Sequence, residues 1–240
     1  MNPQNLESRL DQLEKMCNEQ KKKINILESR VQVLEDIESI KKLQKAYGYY
    51  LEHWMADEVI DLFADGPDVY LKLYEGTYLG KEGIRRYFNR KRGPEFLHQV
   101  MQISGIVDVE SNGIIAKGRW YSWGACAIPL GAGVRQYFMN GIYEVTYVKE
   151  SIIWKIQNLE YCLCYAAPPG IGWVKPERVA ALAPDAKIIP PPYDLPPDDY
   201  DTKYPSGYIL PFHFKHPVTG KPTSEYQRNA ELQLPRRHIT

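Results

Sequence analysis

Three side chains carry the chemistry this chain could perform: Tyr47, Glu52 and His98. His98 opens a strand-like run, FLHQVMQISGIVDVE. An imidazole titrates near neutrality, so it can take a proton from a substrate at physiological pH. Tyr47 and Glu52 both fall in the helix-forming stretch DIESIKKLQKAYGYYLEHW. Five residues turn a helix through about 500°, which leaves the two about 140° apart. They can flank one pocket mouth without touching. Glu52 would hold one imidazole tautomer and stabilise the imidazolium. Tyr47 would hydrogen-bond a developing oxyanion or a leaving hydroxyl. The plainer alternatives are a surface histidine, a solvated glutamate and a core tyrosine. His53, beside Glu52, points about 100° away around the helix and reads as exposed.

These residues need a helix and a sheet to bring them together. A second helix, ADEVIDLFA, ends at Asp65-Gly66-Pro67, and VYLKLYEGTYL reads as a hairpin around Glu75-Gly76. KEGIRRYFNR is a short amphipathic helix. Long strands are expected over residues 97–110, 114–127, 135–149 and 152–165, with Ser111-Asn112-Gly113 as a turn. Helices followed by antiparallel strands make an α+β domain. Strand alternation puts His98, Val100 and Gln102 on one face, then Trp120, Ser122 and Gly124, then Phe138, Asn140 and Ile142. If those faces look inward, the substrate-binding wall is Val100, Trp120, Ser122, Phe138 and Asn140, completed by Trp54, Tyr70 and Tyr161. Such a wall suits a small, mostly apolar cyclic or aromatic substrate.

The ends of the chain differ from this middle. Leu6, Leu10, Leu13, Cys17, Gln20, Ile24, Leu27, Val31 and Leu34 form the a/d seam of about four heptads. Arg9–Glu14, Lys23–Glu28 and Arg30–Glu35 pair g with the following e, as parallel in-register helices require. Residues 1–35 are therefore expected to join copies of the chain, as a dimer or trimer. The alternative is one amphipathic helix with solvated charges. Fourteen of the 18 prolines lie from Pro168 onward. That stretch also carries Trp173, Tyr193, Tyr200, Tyr204, Tyr208, Phe212, Phe214 and Tyr226, more aromatics than a disordered tail usually holds. It reads as an extended arm over residues 168–240, against the alternative of a flexible tail. The α+β domain occupies residues 36–167.

Thirty basic and 30 acidic residues cancel, so no field favours nucleic acid or an anionic membrane surface. Cys17, Cys126, Cys162 and Cys164 form no CxxC and read as reduced thiols. His213, His216 and His238 have no metal-ligand spacing, and no glycine-rich phosphate loop appears. No metal or cofactor is expected. With no apolar leader or bilayer-length run, the chain reads as soluble and cytoplasmic.

DIESIKKLQKAYGYYL with the following LFA, then GRWYSWG and GIYEVTYVKESIIWKIQNLEY, resembles the SnoaL-like, nuclear-transport-factor-2-like family of cone folds. The likeness spans about residues 36–165 and is nearest to the family's bile acid 7α-dehydratases and scytalone dehydratases. It implies a curved antiparallel sheet closed by N-terminal helices around an apolar pocket. It also implies cofactor-independent proton abstraction by a histidine paired with a helix carboxylate, assisted by a tyrosine. Those roles fall on His98, Glu52 and Tyr47. Three positions depart from the pattern: Glu52 stands where aspartate is usual, Gly124 where an acid follows GRWY, and Leu163 near an arginine position. The resemblance implies a dehydratase-type lyase. An isomerase or polyketide cyclase uses the same proton abstraction, and a non-catalytic ligand-binding or assembly module uses the same fold.

Overall fold

A computed structural model describes residues 3–89, 95–130, 133–170, 191–197 and 210–222. The rest of the proline-rich stretch, with Trp173, Tyr200, Tyr204, Tyr208, Tyr226 and His238, lies outside the described residues.

The heptad segment runs without a break into the helix that bears Tyr47. Together they form α1 (Pro3–Glu52), 50 residues and about 75 Å long. Every side chain from Ser8 to Glu35 is exposed, Leu13 at 61% and Leu34 at 63% among them. From Asp36 the helix meets the sheet. Asp36, Ile40, Gln44, Tyr47 and Leu51 are buried, and their spacings of four, four, three and four put them on one face. Full burial of Ile40 or Leu51 contributes about 1.5–3 kcal/mol each. Asp36 pins the entry point: its Oδ1 accepts a hydrogen bond from Trp154 Nε1 at 2.9 Å and pairs with Lys149 Nζ at 2.6 Å. Burial alone would raise this carboxyl. The bonds from Lys149, Trp154 and Gln32 outweigh burial and hold it below its ordinary 3.8.

Two short helices follow, α2 (Ala56–Asp61) and α3 (Gly80–Phe88), around the hairpin β1 (Tyr70–Leu73) and β2 (Gly76–Leu79). Four long strands complete the chain: β3 (Leu97–Val109), β4 (Ile115–Leu130), β5 (Gly133–Glu150) and β6 (Ile153–Ala167). The turn after β3 is the expected one, with Gly113 at φ 69° and Asn112 Oδ1 accepting from the Ile114 and Ile115 amides. β4 and β5 extend past the sequence-based ends and stay paired as far as Leu130–Gly133, with Pro129 opposite Val134.

The six strands form one open mixed sheet in the order β2-β1-β6-β5-β4-β3, in which only β1–β6 is parallel. Register shifts at Ile103/Ile106, Asn140/Gly141 and Thr146/Tyr147 bend the long strands. The C-terminal part of α1 lies on the inner face against β3. Gly48 allows that approach, because a Cβ there would stand 2.9 Å from the Gln102 side chain and 3.3 Å from the Val100 carbonyl.

A buried polar chain fixes the helix on the sheet. Trp120 Nε1 donates to Tyr147 Oη (3.0 Å), Tyr147 Oη donates to Gln44 Oε1 (2.7 Å), Gln44 Nε2 donates to Gln102 Oε1 (2.8 Å), and Gln102 Nε2 donates to the Val100 carbonyl (3.1 Å).

Two pieces of the proline-rich stretch touch the domain. Residues 191–197 run along the β2 edge. There the Thr77 amide donates to the Leu195 carbonyl, and Asp194 accepts from the Leu79 amide and Arg86. At 210–214, Leu210 packs on Ile142 and Cys162, and Phe212 lies over the Arg119 guanidinium. His213 Nδ1 stands 2.8 Å from Glu144 Oε2. This second contact is on the outer face of the sheet.

Candidate functional site

A cavity of about 250 Å³ lies between the end of α1 and the inner face of the sheet. Tyr47 and Leu51 line it from α1, Leu73, Tyr74 and Glu75 from the hairpin, and Tyr87 from α3. The sheet contributes His98, Arg135, Tyr137, Met139, Tyr143, Tyr161, Leu163 and Ala166. Cross-strand register explains this set. His98 lies opposite Cys126, and Cys126 opposite Tyr137. Side chains directly opposite share a face, so the inner face of β5 is Arg135, Tyr137, Met139, Gly141 and Tyr143. Tyr143 in turn lies opposite Tyr161 on β6.

Tyr47, His98 and Tyr161 thus line one cavity, as read from the sequence. The other expected residues lie elsewhere. Glu52 is not in the cavity wall; it is half-buried at the end of α1. One helical turn beyond Tyr47 is Leu51, and Leu51 shares its face. The carboxylate in the wall is Glu75, from the β1–β2 turn. Phe138 and Asn140 lie on the outer face, since β5 alternates the other way. Phe138 stacks on Trp123 at 5.8 Å, and Asn140 Nδ2 donates to the Ser122 carbonyl. Tyr70 also faces outward, where its hydroxyl donates to Glu160 Oε1 at 2.8 Å. Val100, Trp120 and Ser122 are on the inner face but behind the wall. Val100 is core, Trp120 belongs to the polar chain, and Ser122 Oγ meets Tyr161 Oη at 3.1 Å.

Trp54 stands behind His98. Their rings meet edge-on at 5.5 Å, and Phe96, itself 5.3 Å from the Trp54 ring, lies parallel to the imidazole at 6.2 Å, so the three rings form one cluster. Trp54 has φ 51°, a left-handed conformation that costs a bulky residue about 1–3 kcal/mol. It is held by the bond from its indole N–H to the Phe88 carbonyl (2.9 Å) and by its own amide on Leu51. The strained turn after α1 therefore packs the Trp54 ring against the imidazole.

The phenols are weak acids here. Burial pushes Tyr47, Tyr137, Tyr143 and Tyr161 well above the ordinary phenol value. They remain protonated and donate hydrogen bonds. Among the described wall residues the proton acceptors are the His98 imidazole and the Glu75 carboxylate. Among the described residues no group of three or more His, Cys, Asp or Glu is placed to hold a metal ion, and no helix is long and apolar enough to cross a membrane.

Gly124, where the resemblance implies an acid, has no room for a side chain: a Cβ would stand 1.8 Å from the Gln99 carbonyl oxygen. Leu163, near the arginine position, lines the cavity as an apolar residue. The wall's arginine is Arg135 on β5, the strand next to the one where the family pattern placed an arginine. Neither Arg135 nor Glu75 stood out in the sequence. Alternation marks two faces of β5 without saying which is inner.

Comparison with known proteins follows this geometry. No curated protein matches the sequence. A candidate scytalone dehydratase from Novosphingobium aromaticivorans superposes with TM-score 0.50 at 17% identity, covering 61% of this chain and 99% of its own. The hexachlorocyclohexane dehydrochlorinase LinA-type3 from Novosphingobium barchaimii matches with TM-score 0.47, 20% identity, and coverage of 61% and 99%. An NTF2-like protein with a cystatin-like fold, also from Novosphingobium aromaticivorans, gives TM-score 0.44, 20% identity, and coverage of 57% and 87%. The profile of the SnoaL-like domain matches residues 32–160, from the last heptad of α1 to the middle of β6, which is more than half the chain and spans most of the cavity's elements; the chain belongs to the SnoaL-like domain family.

Proposed function

We propose that the chain is a cofactor-independent lyase of the dehydratase type, with His98 as general base. One observation carries this reading: the imidazole shares a single cavity with the protonated phenols of Tyr47, Tyr143 and Tyr161. His98 removes the proton from the carbon beside a carbonyl. The electron pair moves into an enolate, whose oxygen accepts a hydrogen bond from a cavity phenol. As the carbonyl re-forms, the carbon–carbon double bond closes and the bond to the β-hydroxyl breaks. The imidazolium proton leaves with that hydroxyl as water. The name of one structural neighbour, a candidate scytalone dehydratase, agrees with this class. Glu75 is the carboxylate that shares the cavity with the imidazole, and it takes the charge-balancing role that the sequence assigned to Glu52.

The experiment is turnover of a panel of cyclic β-hydroxy ketones, followed by enone absorbance, for the wild type and His98→Ala. Wild-type dehydration that His98→Ala abolishes, with an unchanged melting temperature, supports the reading. Equal rates in both proteins contradict it. A ligand-binding module without turnover, the rival that Glu52's place outside the wall favours, predicts binding but no enone from either protein.

The exposed heptad face is proposed to pair in parallel with that of a second copy. Leu10, Leu13, Ile24, Leu27, Val31 and Leu34 are each at least half exposed. Light scattering on the full chain and on one lacking residues 1–35 tests this. Identical monomer masses contradict it.

A further inference from the structure

Arg135 is a charged cavity residue that the reaction above does not use. It projects from the inner face of β5 into a wall otherwise made largely of Leu51, Leu73, Met139, Leu163 and tyrosine rings. Its Nη1 is buried and has no hydrogen-bond partner among the described residues. Glu75 lines the same cavity. A guanidinium stays charged at any physiological pH, and its fork of N–H donors matches a carboxylate in two parallel bonds. Leaving such a charge in an apolar wall is costly unless something pairs with it.

Register gives the span available to that partner. His98 is level with Tyr137, two strands away, and Arg135 is two residues further along β5. Strand spacings put the Cα atoms of His98 and Arg135 roughly 12 Å apart. The cavity, at about 250 Å³, is smaller than the roughly 300 Å³ at which small-molecule sites usually begin. It fits a ligand of one or two rings with an anchoring group at one end.

We propose that Arg135 is a specificity residue that binds a carboxylate on the substrate, so that the site takes small ring-bearing carboxylic acids in preference to their neutral analogues. The inference rests on the cavity being the substrate site of the proposed lyase. It concerns recognition alone, so its test needs no turnover.

The test is calorimetric binding of 2-naphthoate and 2-naphthamide to the full chain. The two probes share a ring system and differ in charge. The wild type is expected to bind the carboxylate at least about tenfold more tightly, as a charge-assisted bidentate pair requires. Arg135→Gln abolishes the preference, lowering affinity for the carboxylate far more than for the amide. Arg135→Lys, which keeps the charge without the fork, retains part of it. His98→Ala leaves the preference intact, so failure of the base assignment and failure of this inference are read separately. Equal wild-type affinity for both probes, binding of neither, or a preference that survives in a folded Arg135→Gln protein overturns the proposal.

Discussion

Replacing Tyr147 with phenylalanine tests the polar chain that seats α1, and with it the position of Tyr47 one turn further on. The change deletes one oxygen from a fully buried site. That oxygen accepts from Trp120 Nε1 at 3.0 Å and donates to Gln44 Oε1 at 2.7 Å. Both partners are buried, so two polar groups lose their bonds with no water to replace them. At about 1–3 kcal/mol per orphaned group, the expected cost is about 3 kcal/mol. For a chain of this length that lowers Tm by about 10 °C. Circular dichroism melts and urea titrations read both numbers. A double-mutant cycle with Gln44→Leu adds a second readout. Because the two side chains share a bond, the pair should cost at least about 1 kcal/mol less than the sum of the singles. A Tyr147→Phe protein within about 0.5 kcal/mol of wild type, or strict additivity, would refute the reasoning.

Three further outcomes are expected. Asp36→Asn should cost about 3 kcal/mol at pH 7, because it strands Lys149 in a largely buried pair. Asp36 titrates below its ordinary 3.8 when folded, so the carboxylate's contribution is complete above about pH 4 and is lost as pH falls through the folded value; urea titrations at pH 7 and pH 3 should show the gap shrinking, and a constant gap contradicts the pair. Cys126, buried and with its thiol pushed up to about 12, should resist iodoacetamide at pH 8 while exposed Cys17 reacts; peptide mass mapping distinguishes them, and equal labelling contradicts the burial. Gly124→Asp, which supplies the acid the family resemblance implies, should lower stability by about 3 kcal/mol or more, because its Cβ meets the Gln99 carbonyl; an unchanged melting curve would show that the strand pair can open there.

Much of the fold was legible because local signals were strong. Asn112-Gly113 marked a turn, whereas the second helix, expected to run to Asp65, ends at Asp61. The heptad phase, whose next a and d positions are Glu38 and Lys41, gives way at Asp36 to the buried face of Ile40, Gln44, Tyr47 and Leu51. The cavity wall was only half legible. Tyr47 and His98, singled out by residue type and the family likeness, line the cavity, as does Tyr161. The β5 wall was missed because both of its faces are apolar or aromatic. Phe138 and Ile142 on one side read much like Tyr137, Met139 and Tyr143 on the other, and a one-residue change of phase exchanges them. Glu75 was hidden in a turn and Arg135 in a strand end, places where a charged residue ordinarily meets water. Glu52 was displaced by helix geometry, since five residues carry a side chain well past the face that Leu51 shares with Tyr47.

The central claim is that the cavity brings an imidazole to a carbon-bound hydrogen. Proton–deuterium exchange at the α carbon of 2-tetralone in D2O, followed by proton NMR, measures that step without requiring the leaving group. Wild-type protein should accelerate exchange above buffer, and His98→Ala of equal melting temperature should return it to the buffer rate. Exchange that is equally fast with the alanine variant would contradict the account.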